Sequence, residues 1–215
     1  MSEPDLTRAS DMPEEHNVDT YYAAVGIPQG VILDRASGEI AGAVRRGGEL
    51  VSLDPVEYGL WHRLLTPMTR VAVVAAALHD ELGDLDPAIE RLEDVDLVVA
   101  ISPGAAMDDD LERLRPIPLG VGLGNLNGDP TRFEIQNSTM SLPSPVSVDA
   151  IAIMFWWEID GTKSMREVVS YVASWLPELS DDLVETAATG LVGGLMANRL
   201  LYLDTPRVTR EASDL

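Results

Sequence analysis

Apolar residues recur with helical spacing at Val56, Leu60, Trp61 and Leu64, and the same spacing returns 95 positions later at Ile151, Phe155, Trp156 and Ile159. The segment Leu53 to Leu78, "LDPVEYGLWHRLLTPMTRVAVVAAAL", lies over Val148 to Ala173, "VDAIAIMFWWEIDGTKSMREVVSYVA", without a gap. Asp54 meets Asp149, Trp61 meets Trp156, Thr69 meets Ser164, and Val73-Val74 meet Val168-Val169. Apolar positions, caps and breakers coincide although identity is low, which points to an internal repeat.

Each copy carries its own boundary signals. Asp54, Pro55 and Glu57 supply an N-cap, a first-turn proline and an acid able to reach back to the cap. Thr66-Pro67 stops the first helix, and Asp160-Gly161 does so in the second copy, with Gly161 expected in the left-handed region. Ser164 and Glu167 predict a capping box opening a helix to about Leu176. Third helices are predicted from Asp86-Pro87, through "AIERLEDV", and from Asp181 to Ala197 after the cap Ser180. Closing strands are predicted at Leu97 to Ile101 and Leu200 to Leu203. Ahead of each helical block lies hairpin material, "EIAGAVRRGGELVSL" and "TRFEIQNSTMSL", with turns at Arg46-Gly47-Gly48 and Gln136-Asn137.

The predicted fold class is therefore α+β, a tandem winged helix-turn-helix with hairpin, three helices and closing strand in each copy. The expected organisation is a disordered acidic tail over 1–20, a first unit over 21–102 and a linker over 103–128 rich in Pro, Gly and Asp. A second unit over 129–205 and a C-terminal tail over 206–215 complete it. The aromatic segment "FWWEIDGTKSMREVV" is the corner where two helices of a small core meet, and Trp61 and Trp156 are expected inside it.

Charge narrows the function. The 215 residues hold 36 acidic and 15 basic side chains, a formal net charge of −21. Phosphate backbones and anionic lipids repel such a chain unless a basic patch overrides the field. The basic residues are scattered, with Arg45-Arg46 the only adjacent pair, beside a glycine turn. The helices that would enter a DNA groove carry Asp86, Glu90, Glu93, Asp94, Asp96, Asp181, Asp182 and Glu185 against one Arg91. Nucleic acid and membrane are thus not expected as partners. The absence of cysteine removes disulfides, cysteine zinc sites and thiol catalysis. No apolar run reaches the roughly 18 residues of a membrane span, and the N-terminus is polar and acidic, unlike a signal peptide. A cytoplasmic location is the simplest expectation.

Catalytic signatures are missing. Gly122 and Gly124 match two glycines of a dinucleotide loop, but Asn127 holds the third position and "RPIPLG" precedes them, so an inter-unit loop is expected. Asp108-Asp109-Asp110 lacks the alternating spacing of a calcium loop and reads as the solvated start of a short helix. His79 with Asp80, Asp84 and Asp86 lacks a second histidine at metal spacing. No catalytic residue, cofactor or metal is assigned, and the chain is expected not to be an enzyme.

"GGELVSLDPVEYGLWHRLLTPMT" resembles the PqqD-like family, the peptide-recognition elements of ribosomal peptide natural product biosynthesis. The second copy is closer from its helix onward, at Phe155-Trp156, Ile159-Asp160-Gly161-Thr162, Ser164 and Glu167-Val168-Val169, and "NRLLYLD" (Asn198 to Asp204) is similar to the family's last segment. The resemblance covers most of residues 30 to 204. It implies capture of the leader region of a precursor peptide by strand addition, and presentation to a separate modifying enzyme. Carried onto this chain, the peptide-binding residues are Glu49, Leu50, Val51, Ser52 and Leu53 of the edge strand, with Ile89 and Leu92 on the facing helix. Pro143 and Pro145 fall where the second unit's edge strand would run and remove backbone donors, so the first unit is expected to bind. The alternatives are an acidic tandem winged-helix structural adaptor, as in condensin-type complexes, and a winged-helix DNA-binding regulator.

Overall fold

The computed structural model describes residues 20–33, 38, 40–79, 85–102, 109–137, 145–178 and 180–206. Among the described residues the fold is α+β, with seven α-helices and several small antiparallel sheets. In the first half these are β1 (Tyr21–Ala24), β2 (Ile27–Leu33), β3 (Ile40–Arg46), β4 (Glu49–Leu53), α1 (Pro55–Arg63), β5 (Met68–Thr69), α2 (Arg70–His79), α3 (Asp86–Asp94) and β6 (Val98–Ile101). In the second half they are α4 (Asp109–Arg113), β7 (Arg115–Pro118), β8 (Val121–Asn125), β9 (Arg132–Gln136), β10 (Val146–Asp149), α5 (Ala150–Glu158), α6 (Met165–Ser174), α7 (Asp181–Ala197) and β11 (Leu201–Asp204).

Helices α5, α6 and α7 each begin 95 residues after α1, α2 and α3. The caps explain why the boundaries are so regular. The Asp54 carboxylate accepts from the amides of Val56 and Glu57 at 2.7 and 2.8 Å, and Glu57 accepts from the Asp54 amide at 3.0 Å. Ser164 and Glu167 make the same reciprocal pair at the start of α6. Helix α7 has 17 residues where α3 has nine, and the closing strands β6 and β11 are accordingly 103 residues apart. Both third helices end on a left-handed residue, Asp96 and Arg199, and return an amide to the last turn, Leu97 to the Leu92 carbonyl and Leu200 to the Leu195 carbonyl, each at 2.8 Å.

Pairing between the named strands is antiparallel, and a parallel bridge joins Val25 to Leu203. The orders are β5-β1-β6, β2-β3-β4, β10-β9-β8 and β11-β7. Two buried clusters fill the interior. One gathers Val44, Leu53, Leu60, Trp61, Leu64, Leu92 and their neighbours. The other gathers Ile135, Phe155, Trp156, Val168, Val192 and Leu203, and it also takes Ala23, Val25, Val99 and Ile101 from the first half. The two halves therefore share a core. Trp61 and Trp156 are both buried, and each indole N–H donates to a backbone carbonyl at 3.0 Å, Val25 for the first and Leu200 for the second.

Several expectations are corrected. The stretch expected as linker, 103–128, holds α4, β7 and β8, and "GVGLGN" is an edge strand paired to β9 rather than a free loop. Hydrogen bonds explain its order, because β7 pairs with β11 over four residues and the Leu119 amide reaches the Leu200 carbonyl. Strand β2 adds to the hairpin expected in the first half, and β1 pairs with β5 and the closing strand β6 in a separate sheet. Pro145 stands just before β10, which itself contains no proline and pairs with β9 over four residues. Proline therefore does not interrupt that strand, and Pro143 lies outside the described residues. Asp108, Asp80 and Asp84, and both tails beyond 20–206, also lie outside them.

Candidate functional site

Strand β4 closes one side of its sheet. Its tight turn, Gly47-Gly48, has φ of 55° and 95°, the paired positive values of a two-residue hairpin turn that matches strand twist. Such a turn makes Arg46 and Glu49 the closing hydrogen-bonded pair. Alternation along the register then directs Val51 and Leu53 backbone groups toward β3, and those of Leu50 and Ser52 outward. Leu50 and Ser52 are the residues whose amide and carbonyl an incoming strand can meet.

The side chains sort by face. Leu53 is buried and Val51 half-buried against the core, while Leu50 is 61% exposed and Ser52 and Glu49 are exposed. Ile89 and Leu92 of α3 are both buried, with no accessible surface left on Leu92. They lie under the sheet beside Leu53 in one cluster and present no outward groove wall. Placement of these two residues against a peptide is corrected accordingly. The family resemblance that suggested them does not fix which face of α3 is covered, and apolar residues three apart on an amphipathic helix mark its core face.

The sequence did not reveal what fixes the β3–β4 turn. The buried carboxylate of Asp204, at the end of β11, accepts the Gly47 amide at 2.8 Å and the Thr205 amide at 2.9 Å. A side chain on Gly47 would meet the Pro206 carbonyl and the Thr205 hydroxyl, both at 2.6 Å. Arg46, next to the turn, donates to the Val95 carbonyl and pairs with Asp96 at 2.9 Å. Both flanks of the turn are thus tied down, one by the second half of the chain and one by the end of α3. Nothing in the sequence pattern links residues 157 apart, so this contact was not legible there.

Among the described residues, no three histidine, aspartate or glutamate side chains cluster as metal ligands, and no helix is long and apolar enough to cross a membrane. Carboxylates held below their usual range sit in local turns and caps. The Thr162 hydroxyl and backbone hold Asp160 below the usual carboxylate range, and the Ser164 backbone does the same for Glu167.

Comparison with known proteins gives limited guidance. No family model matches the chain. No curated protein matches it. Among solved structures it is similar to PKMT2 from Rickettsia typhi, with 14% identity and a TM-score of 0.34 over 86% of this chain. It is similar also to PKMT2 from the same organism in complex with AdoHcy, with 13% identity and a TM-score of 0.35 over 85% of this chain. The chain spans 42% of the length of each. The expectation that the chain is not an enzyme is withdrawn beside these matches, one of which is a complex with AdoHcy. At these TM-scores the likeness assigns this chain no activity.

Proposed function

We propose that the chain is a tandem winged-helix protein that captures an extended peptide on the outer edge of β4 and holds it for a partner enzyme that modifies it. The observation that carries this reading is an edge strand left open on one side while its turn is clamped on the other. Natural sheets usually blunt such an edge with charge, proline or a cover. Between Leu50 and Leu53 this one has none of the first two, and the only charge is Glu49 at the turn. Strand addition there would use the Leu50 and Ser52 backbone for affinity and the exposed Leu50 side chain for selectivity. A clamped turn lowers the ordering cost of binding.

The resemblance of "ELVSLDP" and "IDGTKSMREVV" to the peptide-recognition elements supports the same reading and suggests the leader region of a ribosomally made precursor as the ligand. A random peptide library displayed on phage and panned against the full chain tests it. Enriched peptides are expected to lose binding to Ser52→Pro and Leu50→Pro proteins that keep their fold. Enrichment that survives both substitutions places capture elsewhere.

A further inference from the structure

A second strand edge is open in the molecule, and the molecule itself shows what fits it. The hydrogen bond from the Val25 amide to the Leu97 carbonyl, 2.8 Å, sets the phase of the β1–β6 ladder. With the register that pairs Ala24 to Val98 and Tyr22 to Ala100, it directs Val99 and Ile101 toward β1 and Val98 and Ala100 outward. In β11 the bond from the Leu119 amide to the Leu200 carbonyl sets the same phase, so Leu201 and Leu203 face outward there. Pro116 and Pro118 stand opposite Leu203 and Leu201, where no strand donor is needed. Leu203 and Ala100 are thus counterparts, as are Leu201 and Val98.

At β11 the outward edge is occupied. Gly26 donates its amide to the Leu203 carbonyl at 2.7 Å, and Val25 forms a parallel bridge with Leu203. The occupant is an uncharged stretch, Ala24-Val25-Gly26, which continues from β1 and bends at Gly26, where φ is 101°. At β6 the counterpart edge opens instead onto a cleft of about 820 Å³ floored by Val98, Val99 and Ala100. No described residue pairs with the outward groups of Val98 and Ala100. Val25 and Leu114 give the cleft an apolar lining. Its charged lining balances in sign, Arg46, Arg113 and Arg115 against Glu93, Asp96 and Glu112; Arg46 pairs with Asp96 at 2.9 Å, and Glu112 pairs with Arg166. Against a net charge of −21, this balanced lining favours an uncharged occupant.

We infer that the β6 cleft is a peptide-binding site that takes a short uncharged extended segment by strand addition, its amide donating to the Ala100 carbonyl as Gly26 does to Leu203. This site is separate from the β4 edge and does not rest on capture there. The probe is the acetylated, amidated pentapeptide Ala-Ala-Val-Gly-Ile, the sequence of Ala23 to Ile27, added to the full chain under amide hydrogen exchange. The Val98 and Ala100 amides are expected to exchange fast in the free protein and several-fold more slowly with the peptide, with Leu50 and Ser52 unchanged. Methylating the glycine nitrogen of the probe removes the donated hydrogen and is expected to abolish that protection without altering the protein. Ala100→Pro, at an exposed edge position whose amide faces outward, is expected to abolish it as well, and Ala100→Arg to weaken it with the fold intact. Slow exchange at Val98 and Ala100 in the free protein, or no change with excess probe, overturns the site. Protection at Leu50 and Ser52 in place of Val98 and Ala100 also overturns it and leaves the β4 reading standing.

Discussion

The two closing strands, β6 and β11, follow the same rule of backbone alternation, yet one edge is sealed by the chain and the other opens on a cleft. The difference arises from where the halves touch. The first half inserts Val25 and Gly26 beside Leu203 and sets its β3–β4 turn on Asp204, so the second half serves as the base on which the first is mounted. From the second half α4 packs against β6, but no described residue of that half bonds to its outward backbone edge. A repeat that looks symmetric along the sequence is thus asymmetric in use, with the open backbone edges of β4 and β6 both on the first half.

The largest effects should come from the shared core. Trp61→Ala and Trp156→Ala should each cost about 3–5 kcal/mol, as large-to-small core changes do, and should lower the melting temperature markedly. Trp157→Ala, at a residue 56% exposed that meets Phe133 edge-on within its own half, should stay within about 1.5 kcal/mol, the worth of an aromatic pair. A small effect of Trp61→Ala would break the comparison, because equivalent positions would then carry unequal loads.

Next come paired proline substitutions in β4. Val51→Pro removes an amide directed at β3 and places a ring inside the ladder, so circular dichroism should show loss of the hairpin. Ser52→Pro removes an outward amide and should leave the melting temperature within a few degrees while abolishing peptide capture. Equal stability of the two variants would refute the assigned alternation. Ile89→Asp, at a buried site, should destabilise the fold rather than act on binding alone.

Asp204→Ala tests the join between the halves. Removing a charged acceptor from the Gly47 amide should cost about 1.5–3 kcal/mol and speed exchange of that amide. Unaltered exchange at Gly47 would mean that the turn holds itself.

The smallest effect concerns the α5–α6 corner. Asp160 accepts from the Thr162 amide and hydroxyl, each at 2.7 Å, which depresses its pKa in the folded state. A depressed carboxylate contributes stability above its unfolded value, near 3.8, and loses it as pH falls through the lower folded value. Asp160→Asn should therefore reduce the pH dependence of the melting temperature on the acid side and leave its slope near neutrality unchanged.

Much of this architecture was legible because it is local. Caps at Asp54, Ser164 and Ser180 act within a few residues, so helix starts read directly from the sequence, whereas α5 stops at an extended Ile159, ahead of the left-handed Gly161 expected to cap it. Strands β1 and β7 were not legible, since their partners β6 and β11 lie about 80 residues away and two of the four residues of β7, Pro116 and Pro118, are prolines. The candidate site divides along the same line. Residues Glu49 to Leu53 were identified from their strand pattern, but which of them face outward depends on turn geometry. The burial of Ile89 and Leu92 depends on which elements cover α3.

Amide exchange at Leu50 and Ser52, measured with and without a peptide selected against the full chain, bears most directly on capture at β4. Both amides should be unprotected in the free protein and protected together on binding, while Val51, already bonded to β3, stays slow in both states. Protection of neither amide by a peptide that binds the chain would contradict the β4 site.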